Sequence, residues 1–150
     1  MPEDVMDIKQ VALQMLEIAK GNLQEHGSLL PVALLVTPDQ NLVTPMYFSN
    51  EDEKNRAYAE LVVKAKELRA MAIVTINEVR YAKDDGSYYW GKLEAEKAPE
   101  AILVTVSGPG ITNWEGTLPF ERQGERFVFG ELREETGMPL LFLEGWANQT

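Results

Sequence analysis

One imidazole and one carboxylate inside an apolar run are where chemistry would begin in this chain. His26 is the only histidine among 150 residues, and there is no cysteine. A single histidine cannot form a two-His metal site, and without cysteine there is no thiolate nucleophile or ligand. The chemistry left to His26 is base work on a hydroxyl, with Ser28, Ser49, Ser87 and Ser107 as candidates. None sits in a Gly-x-Ser-x-Gly elbow; at Ser107 the leading glycine is replaced by Thr105. The structural alternative is an imidazole at a helix end, interacting with the last carbonyls.

Glu78 shares strand parity with Val74 and Ile76, so it points to the same face as they do. Under a helix the carboxylate would leave water and need a partner. Arg80, two residues along on that face, is one choice, an arginine elsewhere is another, and His26 is a more distant one. If the strand has reached the sheet rim by Asn77, Glu78 is solvated instead. His26, Glu78 and Arg80 therefore form a candidate polar site at a strand end.

The run Gly86-Ser87-Tyr88-Tyr89-Trp90-Gly91-Lys92 fits the first seven places of a phosphate-binding loop. The eighth place should be Ser or Thr to hold magnesium, and it is Leu93. The loop should also follow a buried strand directly and open a long helix. Here Tyr81–Asp85 intervene and Pro99 follows early. The run reads better as a hairpin tip or surface loop. Tyr88, Tyr89 and Trp90 are then either a candidate interface, since Tyr and Trp are enriched in interface hot spots, or part of the core. The pairs Glu94/Glu96 and Glu134/Glu135 lie in polar stretches and read as solvated charge. No calcium loop of alternating aspartates occurs. The expectation is no metal, no cofactor and no catalytic set.

Composition narrows the classes further. The net charge is −10, from 14 basic and 24 acidic residues. Nucleic acid and anionic membrane both need a basic footprint, and no stretch supplies one. No apolar run reaches the roughly 18–20 residues that span a bilayer. Met-Pro-Glu-Asp lacks a signal-peptide pattern, and with the absent cysteines this points to a cytoplasmic protein. The length suits one domain, residues 1–150.

Two helices and a set of strands must position these groups. Asp4 to Glu25 holds a helical period through Val5, Ile8, Ala12, Met15, Ala19 and Leu23, with Gly27 as its stop. Ser49 and Asn50, with acidic residues three places on, predict a helix start at Glu51. Tyr58, Leu61, Val62, Ala65 and Leu68 give that helix one apolar stripe, to about Ala70. Strands are predicted over Leu29–Thr37, Leu42–Phe48, Met71–Tyr81, Ala101–Ser107, Trp114–Phe120 and Arg126–Gly130. Pro45 places the second at a sheet edge, because proline cannot donate to a ladder. Ala82–Pro99 is irregular, with a short helical turn over Leu93–Lys97. Met138–Leu143 is a last short strand or a packed tail.

The first, third and fourth strands are the most apolar and should be central. Short turns make neighbours antiparallel. The predicted architecture is α+β, a two-layer sandwich with a mostly antiparallel sheet of order 2-1-3-4-5-6 and both helices on one face.

The order helix, hairpin, helix, meander resembles that of roadblock- and profilin-like domains. The chain departs from roadblock domains in ending with strands and in placing the third strand centrally. The resemblance implies a dimeric interaction module at the level of fold alone. The run His26-Gly27, Pro31, Pro38-Asp39, with Glu78 late in the third strand, also resembles a diffuse group of uncharacterised bacterial proteins, and lends no function.

The reading that follows is a non-enzymatic interaction or regulatory module that self-associates or binds a protein partner. Its alternatives are a small hydrolase or transferase using His26 and Glu78, and a sensor holding a small molecule between helices and sheet.

Overall fold

Asn50 caps the second helix. Its side-chain oxygen accepts from the Glu53 backbone N–H at 2.8 Å, and its amide donates to Glu53 Oε2 at 3.1 Å. One orphan donor of the first turn is thereby satisfied. This helix, α2, runs Glu51–Glu67. The first, α1, runs Pro2–His26 and ends at Gly27, whose φ is +78°. The Gly27 N–H closes the last turn on the Leu23 carbonyl at 2.8 Å, in a conformation that glycine adopts without a Cβ penalty. The structure, a computed structural model, describes residues 2–48, 50–81, 88–89, 100–137 and 146.

The strands are β1 (Val32–Val36), β2 (Asn41–Pro45), β3 (Ala72–Tyr81), β4 (Tyr88–Tyr89), β5 (Glu100–Gly108), β6 (Ile111–Gln123), β7 (Arg126–Phe129) and β8 (Arg133–Thr136). They form one open antiparallel sheet of order β2-β1-β3-β5-β6-β7, with β4 paired to β3 and β8 paired to β6. The α+β class and the strand order match the expectation, with β5, β6 and β7 as the fourth to sixth predicted strands. Pro45 lies on the edge strand, as its missing N–H requires. Two strands are additional. β4 arises in the stretch read as irregular, and β8 is built from Arg133-Glu134-Glu135-Thr136, a run too polar to show strand alternation. The expected helical turn at 93–97 and last strand at 138–143 lie outside the described residues.

The placement of the helices is a correction. They do not share a face; the sheet lies between them. The α1 stripe of Ile8, Ala12, Leu16, Ala19 and Leu23 is buried with Leu34, Val36, Val74, Ile76 and Val104. The α2 stripe of Tyr58, Leu61, Val62 and Ala65 is buried with Ala33, Leu35 and Ile73. Successive residues of a strand point to opposite faces, so Leu34 and Leu35 cannot lie under the same helix. Unbroken apolar runs in β1, β3 and β5 are what two covered faces demand. Each large aliphatic side chain so buried contributes about 1.5–3 kcal/mol.

Candidate functional site

Glu78 faces the α1 side, and its partner is Arg122. Arg122 donates from Nη2 to Glu78 Oε2 at 3.2 Å, from Nε to Glu100 Oε2 at 2.9 Å, and from Nη1 to the Gly27 carbonyl at 2.7 Å. Its guanidinium also lies over Phe127, 5.0 Å from the ring centroid. The other Glu78 oxygen accepts from the Leu29 N–H at 3.2 Å. One cation thus ties β3, β5 and β6 to the end of α1. The position suits it, because a helix C-terminus carries partial negative charge. The hydrogen bond to Glu100, with the charges of Glu100 and Glu78, raises the Arg122 pKa further, against a smaller opposing effect of burial. Glu78 is neither buried alone nor wet: its side chain is 22% exposed and engaged in this clasp. Of the partners considered for it, the arginine elsewhere is found in Arg122. The Arg80 backbone stands opposite Glu100 and Tyr89; its side chain lies outside the described set.

His26 is 68% exposed, and its Nε2 is 3.9 Å from Glu25 Oε2. It lies at the same end of the sheet as Glu78, since Arg122 bridges Glu78 to the residue after His26. His26 is also one of the residues lining a groove between α1 and the sheet. Ser28 shares that groove wall. Ser107 is buried on the α2 side, opposite Ile73 in register, so the sheet separates it from His26. Ser49 and Ser87 lie outside the described residues. No described serine is hydrogen-bonded to His26 in any geometry that would activate it, and Glu78 is committed to Arg122.

The groove has a volume of about 550 Å³. It exists because α1 packs across β3, β5 and β7 and leaves the β1–β2 margin of that face uncovered. Met15, Ile18 and Ala19 form the helix wall, Val32 and Val43 the sheet wall, and Leu30 the end. Val43 is 66% exposed and Ile18 64%. Leu30 also borders a second depression with Tyr47 and Phe48 around the edge of the sheet, and Tyr47 is 74% exposed.

The α2 side carries buried polar pairs. Thr75 and Thr105 stand opposite each other, and their hydroxyls share a hydrogen bond. Asn77 donates to the Tyr58 hydroxyl at 3.0 Å. Burial holds the Tyr58 phenol above its ordinary pKa, against the smaller lowering effect of the Asn77 bond, so it stays protonated at neutral pH. Trp146 donates to the Ser107 carbonyl at 3.1 Å. These groups are satisfied by one another and hold α2 and Trp146 on the sheet.

The aromatic run is placed only in part. Tyr88 and Tyr89 are backbone-paired with Tyr81 and Arg80, an extended conformation rather than a loop opening a helix. Their side chains, and Trp90 altogether, lie outside the described residues. Among the described residues no group of His, Asp and Glu could hold a metal ion, and no helix is long and apolar enough to cross a membrane.

Sequence reasoning placed β2 at the sheet edge through Pro45 but did not draw on the uncharged character of that margin. Thr37 N–H bonds to the Gln40 carbonyl at 3.0 Å and Met46 N–H to the Pro31 carbonyl at 2.8 Å. Between these bonded pairs the ladder alternates, so Leu42 and Thr44 bond to β1, while Asn41, Val43 and Pro45 turn their backbone groups outward. No strand covers that margin among the described residues. From Gln40 to Phe48 there is no charged side chain. Arg122 was missed as well, because nothing local to Glu121-Arg122-Gln123 marks it as the partner of a residue 44 positions away. Comparison with protein-family models, with curated proteins and with solved structures found no match to this chain.

Proposed function

We propose that this chain is a non-enzymatic interaction module that pairs with a second copy of itself along β2. The supporting observation is the uncharged, outward-facing β2 margin, flanked by exposed Val43, Ile18, Leu30 and Tyr47. Edge strands are ordinarily guarded by charge, bulges or covering segments, because open N–H and C=O groups invite another strand. A chain of net charge −10 repels its own copies over most of its surface, so a charge-free margin is where they meet at least cost.

A two-fold antiparallel pairing centred on Val43 exchanges both of its backbone hydrogen bonds with the partner's Val43. Each Asn41 N–H then reaches the other copy's Pro45 carbonyl, and the proline takes a place where its missing donor breaks no bond to β1. Such a contact is isologous and closed. The hydrolase reading loses support because Glu78 is bound to Arg122 and no described serine is hydrogen-bonded to His26. The absence of cysteine is compatible with an intracellular setting.

Native mass spectrometry and sedimentation test the proposal. The expected species has about twice the 16.9 kDa chain mass, and Val43→Lys returns it to one. A wild-type monomer at the highest soluble concentration would overturn it. So would a dimer that Val43→Lys leaves intact.

A further inference from the structure

The groove between α1 and the β1–β2 margin has a lining that states what it can hold. Its volume, about 550 Å³, lies in the range of roughly 300–1,000 Å³ typical of small-molecule sites. Among the described residues no Lys, Arg, Asp or Glu lines it, in a chain where 25% of residues are charged. Its polar groups are confined to Asn22, His26 and Ser28, all at the end where α1 stops. The rest of the wall is aliphatic or Met.

We propose that this groove binds an uncharged, mainly apolar small molecule with one hydrogen-bonding end directed at Asn22, His26 and Ser28. The aliphatic wall gains by removing apolar ligand surface from water. The polar end fixes orientation, because a buried hydroxyl or carbonyl must find partners. A carboxylate or phosphate ligand would find no lysine or arginine in the described wall: Arg122, which reaches the chain just beyond His26, is committed to Gly27, Glu78 and Glu100. An alkylammonium ligand would find no carboxylate among the described wall residues. The inference does not depend on pairing through β2.

The test uses three probes of one chain length that differ only in the head: 1-octanol, octanoate and octylamine. Each is titrated into the isotopically labelled full chain and followed by amide and methyl chemical shifts. The expected result is saturable 1-octanol binding, with shifts at Ala19, Ser28, Leu29, Val32 and Ile76, at least tenfold tighter than either charged probe. Val32→Phe, which fills the sheet wall, weakens 1-octanol binding at least tenfold. Met15→Trp does the same from the helix wall and serves if the first variant does not fold. Asn22→Leu keeps the apolar contacts and narrows the preference for 1-octanol over octane, which is added as a fourth probe without a head. Equal affinity for all three heads, shifts centred elsewhere, or no saturable 1-octanol binding would each overturn the proposal.

Discussion

The two margins of the sheet differ in charge. At one, β2 runs Asn-Leu-Val-Thr-Pro, without a charged residue and with Val43 exposed. At the other, β8 runs Arg-Glu-Glu-Thr with every residue exposed, and β7 begins at Arg126 behind Glu125. Charges along an edge make strand addition costly, because each would be desolvated against an incoming chain. The same charges also tie the fold together. Glu134 accepts from the Trp114 indole at 3.0 Å and lies 3.0 Å from Lys9 Nζ, so β8 is stitched to β6 and to α1. A guarded margin can therefore be a structural one, while the unguarded margin is the one on which the proposed pairing rests.

The largest expected effect comes from guarding the open margin. Val43→Lys weakens self-association about 100-fold, some 2.7 kcal/mol by the relation of affinity to free energy. It changes the stability of the separated chain by less than about 0.5 kcal/mol, as exposed substitutions do. Sedimentation reads the first and denaturant titration the second. An equal loss in both would mean that Val43 supports the fold rather than a contact.

Gly116→Ala probes the guarded margin. A Cβ at Gly116 would lie 2.6 Å from Trp114 Cη2, against a rigid indole held by Glu134. The expected cost is about 1–3 kcal/mol of stability, with no change in oligomeric mass. A neutral result would show that the indole shifts freely and that the Glu134 tie is weak.

Arg122→Ala follows in size. The side chain is 39% exposed, so solvent screens its ion pairs and the expected loss is about 1–2 kcal/mol, mostly from its hydrogen bonds. Arg122→Lys restores less than half, since an ammonium cannot present the same planar fork to Glu78, Glu100 and Gly27 at once. Full rescue by lysine would show that charge alone matters.

The smallest effect is in pH. The Lys9 hydrogen bond, then that of Trp114, lowers the Glu134 pKa below its ordinary value. A carboxyl with a depressed folded-state pKa contributes stability that is complete above its unfolded value and is lost as pH falls through the folded value. Glu134→Gln should therefore flatten the acid limb of stability against pH and leave the neutral plateau nearly unchanged. An unaltered acid limb would place the pH dependence elsewhere in the chain.

Much of the frame was legible because its signals are local. Asn50 before an acidic run, Gly27 after a periodic stripe and Pro45 in an apolar segment each act within a few residues, and each did what its chemistry predicts. The strand order was legible too, because the most apolar strands must be the most enclosed. The continuous runs in β1 and β3 also carried the evidence for two covered faces, yet the helices were expected on one. An apolar run states that both faces are buried without naming what buries them.

Of the candidate polar site, the strand parity of Glu78 was readable and its partner was not. His26 and Glu78 reach the same end of the sheet and engage different groups there, a choice set by how β6 crosses the end of α1. β8 was hidden for a related reason. A strand exposed along its whole length has no alternation to reveal it, and only pairing with β6 makes it a strand.

By itself the sequence determined the cysteine-free, single-histidine inventory, the net charge, the two capped helices and the α+β order of elements. Those depend on composition, on the chain's own periodicity and on contacts between near neighbours. The tertiary structure alone decided that the sheet separates the helices, that Arg122 pairs with Glu78, and that the edge strand β2 borders a mainly apolar groove. Each of these is a relation between residues tens of positions apart, fixed when the apolar faces are buried together and by nothing in the local sequence.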